Sequence, residues 1–388
     1  MRRADRQWAV LLALATLLWG LWPAGKTEAE PLWQSESARF SLTGHVKGFL
    51  ISGRTLAEER FLDSRDRVAL DADLEVLGRL RLKVDYRIEA FGSILGPSNF
   101  AQLQEESKRD VVDLDWTLVD EPDFFARHRL HRAVLSVDAS PLRLAVGRQR
   151  IAWGTGKLWS PTDLFNPLSP LSLERGERRG ADAALATLSV GPQAEIAGVY
   201  APLDGAARGG ARAHATVRGW DLSALAGTRP DDWFIGGDFA GPIGQGLIRG
   251  EGITFFDESG RTFFQGVIAG EYTFPNTLGI VVEYFENGKG KGRTRDYEIA
   301  RLMRGEIVAL GERFLGTIMG YDLTPLWRAE VAALWSLTDH STYLNPRLTY
   351  SVTTNVEVGV AAGITSGSDL SEFGRISNLY YADFRWAF

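Results

Sequence analysis

The chain has 388 residues, a formal net charge of −6, 42 glycines, 12 tryptophans, three methionines and no cysteine. Mild acidity excludes nucleic-acid binding by bulk charge, and the lack of cysteine excludes disulfides, thiolate metal sites and cysteine nucleophiles. An exported chain of this kind needs another source of stability, and a closed hydrogen-bonded barrel is one.

The first predicted element is a leader. Arg2, Arg3 and Arg6 precede an apolar run from Trp8 to Trp22, and the polar segment Pro23 to Glu30 follows. The run is shorter than the roughly 20 residues of a transmembrane helix, and Thr27 and Ala29 are small enough to flank a cleavage site. The expected organisation is a signal peptide over 1–29 and one domain over 30–388. Loss of Arg2, Arg3, Arg6 and Lys26 together with Asp5 and Glu28 takes the net charge from −6 to −8. Every later apolar run is interrupted by charge, which excludes an inner-membrane helical bundle. A first strand near Phe40 to Ile51 follows Glu30 too closely for an N-terminal plug domain.

From Leu80 to Ala90 the period is two: Leu80, Leu82, Val84, Tyr86, Ile88 and Ala90 alternate with Arg81, Lys83, Asp85, Arg87 and Glu89. Strand side chains alternate faces, so one face is apolar and the other charged along its whole length. A barrel lumen supplies the water that such a face needs. Farther on, the loop Gln104 to Asp123 carries Glu105, Glu106, Asp110, Asp113, Asp115, Asp120, Glu121 and Asp123. Its spacing is not that of an EF-hand, and it reads as a solvated acidic surface with no metal site.

The segment Leu142 to Pro170 begins with Leu142, Leu144 and Val146 on a lipid-facing phase, with Arg143 opposite. Continuing that phase would carry Arg148 and Arg150 into hydrocarbon, at roughly 2–4 kcal/mol for a cation at the midplane. The backbone is therefore expected either to bulge at Gly147 or to have reached the rim, with both arginines facing water. Beyond it, Trp153-Gly154-Thr155-Gly156 and Ser160 to Pro167 are too apolar for a freely solvated loop. Either the loop 154–179 folds inward and narrows the channel, with Arg148, Arg150, Lys157 and Asp163 lining it, or Trp153, Trp159, Leu164 and Phe165 form an interface belt beneath an outer loop.

The run Gly147-Arg148-Gln149 through Trp153-Gly154 to Pro161-Thr162-Asp163 and Asn166-Pro167 resembles a segment of proteobacterial porin-like outer-membrane proteins, a loose group that includes alginate-export-type barrels. The likeness covers this short segment only. In the alginate-export type it implies an arginine-lined lumen that conducts an acidic polysaccharide. This chain departs from that pattern, because Asp85, Glu89, Glu330 and Glu357 share the inward phase with Arg81, Lys83, Arg87, Arg129, Arg143, Arg328 and Arg347. Rings of such cations favour anions where they outnumber carboxylates, and otherwise the opposed charges pair and hydrate the wall.

The middle strands Gly209 to Val217 and Trp233 to Ala240 alternate poorly. The loop Lys289 to Arg295, followed by Arg301 and Arg304, is basic and suited to lipopolysaccharide phosphates. Its glycine–lysine run lacks the terminal Lys-Ser/Thr of a phosphate-binding loop. Clear alternation returns in Trp327, Ala329, Val331, Ala333 and Trp335, and again in Val356 to Ile364. The chain ends with Tyr380, Ala382, Phe384, Trp386 and Phe388 on one face. This resembles the terminal strand by which the outer-membrane barrel-assembly machinery recognises its clients, and physically it is a lipid-facing strand with interface aromatics.

Tight connectors at 76–78, 138–141, 191–192, 218–221, 241–244, 275–277, 324–325 and 353–355 all fall on one side, as periplasmic turns. Long loops at 92–126, 154–179, 287–311 and 366–375 fall on the other. The expected fold is all-β: a transmembrane antiparallel up-and-down barrel of about 18 strands, or about 16 if the two poorly alternating segments are not strands. None of His45, His128, His131, His214 and His340 lies in a nucleophile elbow or a zinc pair, and no enzyme, cofactor or metal is expected. The function expected is an outer-membrane channel for passive or facilitated diffusion of small polar or anionic solutes. Export of an acidic polysaccharide, or a structural barrel sheathing a partner, are the alternatives. The lipid-facing positions leave monomer and homotrimer equally open.

Overall fold

The structure is a computed structural model in which residues 31–55, 58–96, 111–167, 170–174, 177–178, 180–203, 205–303 and 307–388 are described. The expected leader over 1–29, and Glu105, Glu106, Asp110 and Arg304, lie outside these residues.

Eighteen strands form the barrel among the described residues. They are β1 (Ala38–Arg54), β2 (Arg60–Val76), β3 (Leu80–Leu95), β4 (Phe124–Ala139), β5 (Leu142–Gln149), β6 (Ala181–Ser189), β7 (Ala194–Leu203), β8 (Ala206–Val217) and β9 (Trp220–Arg229). There follow β10 (Asp232–Ile243), β11 (Gly246–Asp257), β12 (Thr262–Thr273), β13 (Gly279–Asn287), β14 (Arg313–Asp322), β15 (Trp327–Ser336), β16 (Thr342–Thr353), β17 (Val356–Ser366) and β18 (Leu379–Ala387). Each pairs antiparallel with the next, and β1 pairs with β18 from His45↔Ala387 to Gly53↔Leu379, which closes the sheet and leaves no free edge. The two poorly alternating segments are strands, β8 and β10, so the count is eighteen rather than sixteen. The alternation of β8 is faint because its outward phase is Gly209, Ala211, Ala213 and Ala215, too small to contrast with the inward one, and that of β10 because its inward phase carries Phe234 and Gly236 beside Asp232 and Asp238.

No helix of the described residues is long and apolar enough to cross a membrane. The exterior is instead a band of exposed Leu82, Leu144, Ile196, Ile268, Val360 and Phe384, the surface that hydrocarbon accepts. The first four strands have 17, 17, 16 and 16 residues, whereas the others have 8 to 12. Part of the expected loop between β3 and β4 is sheet as well: Asp115–Glu121 pairs with the upper half of β4, beyond the point where β5 leaves it. Short turns, the start of β1 and the end of β18 share one rim. The long connections β3–β4, β5–β6, β13–β14 and β17–β18 rise from the other.

The buried apolar clusters gather inside the barrel around the connection between β5 and β6. Leu158 and Trp159 pack with Phe285, Phe314 and Phe373, while Ile151, Trp153 and Phe165 pack with Ala181, Val199 and Ala201. Of the two arrangements expected for this loop, the inward-folded one is present.

Candidate pore constriction

The loop leaves β5 at Gln149, crosses the lumen and returns to β6 at Ala181. Its far end is fixed by two wall carboxylates that accept from the loop. Glu283 of β13, fully buried, accepts from the backbone N–H groups of Lys157 (2.6 Å), Leu158 (2.8 Å) and Trp159 (3.3 Å). Three successive amides converging on one carboxylate form an anion nest inverted in roles, with the anion belonging to the wall. Glu251 of β11 accepts from Thr155 N–H at 3.2 Å, from the Ser160 hydroxyl at 3.3 Å and from the Thr162 hydroxyl. A side chain on Gly154 would collide with Ser160, and one on Gly156 with the Trp159 carbonyl. These two glycines are therefore what lets the loop fold back against Glu251. Trp159 stacks on Phe285, with ring centroids 5.4 Å apart, and lies over Gly316 of β14, where a Cβ would strike its ring.

The returning arm is held differently. Asp163 pairs with Arg178 and accepts from Trp153 N–H at 3.4 Å. Asn166 Oδ1 accepts from Ile151 N–H at 2.6 Å. Glu174 is taken by three cations of β1 and β2: Arg67 (2.7 Å), Lys47 (3.0 Å) and Arg65 (3.9 Å). Glu177 pairs with Arg87 of β3 at 2.8 Å and lies 3.8 Å from Arg67.

These loop carboxyls are pushed in opposite directions. Burial raises Asp163 to about 6 in spite of Arg178, whereas for Glu174 burial is outweighed by Arg67, Lys47 and Arg65, which hold it at about 2. Glu177 is also lowered, by Arg87 and Arg67 acting against burial.

The sequence-predicted residues fall into several places. On β3, Arg81 and Lys83 lie at the short-turn end and share Asp73, at 2.5 and 3.8 Å. Deeper, Asp85 pairs with Arg87 at 2.8 Å, and Glu89 gathers Arg127 (2.8 Å), Arg129 (3.6 Å) and Arg65 (4.0 Å). Arg143 pairs with Asp138 at the short-turn rim. Arg328 pairs with Asp322 at 2.6 Å, and Arg347 with Asp383 at 2.8 Å. Lys157 sits on the loop's far turn and pairs with Glu271 at 2.8 Å.

Arg150 is exposed beside Asp163 and Arg132, each of which feels its charge. Arg148 does not join it. The register runs without a shift through Gly147, so no bulge turns the strand, and Arg148 keeps the outward phase of Leu144 and Val146. It sits at the strand's end only 2% exposed, bound to Asp182 at 2.9 Å and to the Val112 carbonyl at 2.6 Å. An ion pair shared with the returning β6, rather than water, is what compensates its charge. Gly147, at φ +122°, has the backbone that only glycine adopts easily, and a Cβ there would strike the Ala133 carbonyl.

On β18, Tyr380 and Phe384 are exposed on the lipid side, and the Trp386 and Phe388 rings lie 5.2 Å apart. His128 and His131 point to opposite faces: His128 stacks on Trp116, and His131 is buried against the Arg178 carbonyl. Lys289, expected on a basic outer surface, is withdrawn under its loop, 3.3 Å from Asp232 and over the Phe255 ring.

Sequence reasoning missed Lys47, Arg67, Glu174, Glu251 and Glu283. For Glu283 a signal was present: it is a lone carboxylate on the inward phase Val281, Glu283, Phe285, where only donors brought from elsewhere would satisfy it.

A closed barrel with an apolar outer band, a charged lumen and a loop folded into that lumen defines the fold of outer-membrane porins, and the chain is an outer-membrane barrel. No protein-family model matches the sequence, and no curated protein is similar to it. Among solved structures it is similar to OccAB4 of Acinetobacter baumannii, with a TM-score of 0.57 at 9% identity over 92% of this chain and 100% of that one. It is also similar to OccK5 (OpdH) of Pseudomonas aeruginosa, with 0.57 at 11% identity over 91% and 98%, and to a BenF-like porin from Pseudomonas fluorescens Pf-5, with 0.56 at 10% identity over 90% and 98%. At such identities the likeness is one of fold.

Proposed function

We propose that the protein is an outer-membrane porin through which small polar or anionic solutes diffuse, constricted by the loop 154–179. The observation that carries this reading is the loop itself, tied to opposite walls of a lumen whose β1–β4 side presents Lys47, Arg65, Arg127 and Arg129, with Arg150 at the root of the loop. A ring of cations at a narrow point favours anions. A loop anchored on both sides of the lumen leaves a passage suited to small solutes, which argues against export of a bulky polysaccharide. The similarity in fold to porins supports the same reading over an enzyme or a scaffold.

The test is single-channel conductance and ion selectivity in planar bilayers, comparing the intact protein with Arg65→Gln/Arg150→Gln. Stable conductance whose reversal potential shifts towards cations in the variant is the expected result. A barrel that folds and heat-modifies normally yet carries no current would overturn the reading.

A further inference from the structure

Three connections on the outer side of the barrel meet at one buried carboxyl. Glu372, in the loop between β17 and β18 and only 5% exposed, accepts from the backbone N–H groups of Leu310 (2.9 Å) and Gly311 (2.8 Å) in the β13–β14 loop. Its own N–H donates to Asp339 of the β15–β16 connection at 2.7 Å. The same Asp339 oxygen accepts from the Tyr297 hydroxyl at 2.7 Å, and the other accepts from the Ser341 hydroxyl at 2.6 Å. Glu372 is thereby bonded to both neighbouring connections at once.

This cap sits on the constriction. Phe373, the next residue, belongs to the same buried cluster as Phe314 and as Leu158 and Trp159 of the loop 154–179. The partners of the Glu372 carboxyl are main-chain amides and not a cation, for Arg375 donates instead to the Ser371 and Leu370 carbonyls. The titratable groups that face it are Asp339, Arg375 and Tyr297, one from each connection. A buried carboxyl with a second carboxylate beside it and no paired cation resists ionisation.

We propose that Glu372 is a proton-operated latch: with its carboxyl neutral it fastens the three outer connections over the tip of the constriction loop, and ionisation loosens them. The latch goes beyond the channel reading, because it concerns the cap and not what passes beneath it. Burial first, and then Asp339, push Glu372 up to about 7 against the pull of the Gly311 and Leu310 amides. A carboxyl so raised in the folded state contributes its full stability below its ordinary value near 4.5 and loses it as pH rises through about 7. The cap is therefore shut in acid and loosens towards neutral pH, opposite in sign to Glu174, which its cations hold low.

The test is hydrogen–deuterium exchange at the Leu310 and Gly311 amides of the folded full-length barrel in detergent, with single-channel conductance followed over the same pH range. After correction for the intrinsic rate, opening at these amides in the wild type should rise about a hundredfold between pH 4.5 and 7 and then level off. Conductance should rise over the same window. Glu372→Gln, neutral at every pH, should hold both readouts at their acid values. Arg375→Gln removes a cation that favours the ionised form, and should extend the rise in exchange to higher pH; it keeps the latch open to test if the first variant does not fold. Wild-type exchange with no excess pH dependence overturns the proposal, as does a Glu372→Gln barrel whose exchange rises like the wild type. Exchange that rises while conductance stays level overturns the coupling of the cap to the pore. A barrel that carries no current loses the channel reading, and exchange still decides the latch.

Discussion

The two walls of the lumen hold the same loop by different chemistry. Against β1–β3 the contacts are between charged side chains, Glu174 with Lys47, Arg65 and Arg67, and Glu177 with Arg87. Against β11–β14 the wall supplies the carboxylates, Glu251 and Glu283, and the loop supplies backbone amides beneath a stacked Trp159. A side-chain ion pair is held by flexible ends that can part singly, whereas the buried Glu283 carboxylate cannot leave its three amides without orphaning all of them at once. The loop therefore has a stiffer footing against β11–β14 and a looser one against β1–β3.

The largest break in this asymmetry should come from Glu283→Ala. It leaves the amides of Lys157, Leu158 and Trp159 without an acceptor, at about 1–3 kcal/mol for each buried donor so orphaned. The loop is expected to leave β13, with single-channel conductance rising several-fold. Unchanged conductance would mean that Trp159 alone holds the footing. Trp159→Ala removes that ring from between Phe285 and Phe314 and should cost about 3–5 kcal/mol, as emptying a buried aromatic site does. Its readout is a flickering current, where Glu283→Ala gives a steadily larger one.

Proton titration sharpens the contrast within the loop. Asp163 is raised to about 6, so its contribution is complete below the ordinary carboxylate range near 4 and is lost as pH rises through 6. Glu174 is lowered to about 2, so its contribution is complete above its ordinary value and is lost only as pH falls towards 2. Between pH 4 and 6, amide exchange at Ile151 and Trp153 should accelerate with rising pH beyond its intrinsic dependence, by at most about 3 kcal/mol of opening energy. In Asp163→Asn that excess should vanish, while Glu174→Gln should retain it. The smallest effect is expected at Arg143→Ala. The Arg143–Asp138 pair is largely exposed, and its loss should change the melting free energy by about 0–1 kcal/mol and leave conductance unaltered.

Much of this was legible in the chain. The alternation of Leu80 to Ala90 places Asp85, Arg87 and Glu89 inside because a strand has two faces and only one can meet lipid. The same logic places Arg143, Arg328 and Arg347 on the inward phase. Periodicity assigns a face without saying what covers it, and this is why Arg148 misleads. Its phase is outward, and its compensation is Asp182, which the fold brings back from across the loop. Glu251 stayed hidden because its partners, the Thr155 amide and the Ser160 and Thr162 hydroxyls, are about ninety residues away, and the inward phase of Glu283 tells only that it needs donors, not that they are the amides of 157–159. Glu174 stayed hidden because a loop has no period to betray which side chain reaches the wall.

The seam between β1 and β18 has a consequence for how the barrel finds its final alignment. Gly44, Gly48 and Gly53 lie beneath Phe388, Phe384 and Leu379, and a Cβ on any of the three would strike the side chain above it. Slipping the last strand by two residues would set Phe384 over Val46 or Leu50, where a side chain already stands, and carry the larger Trp386 ring over Gly44 or Gly48. The first strand made and the last thus form a keyed joint, in which mis-sliding is refused by steric fit before the full ladder of hydrogen bonds can form.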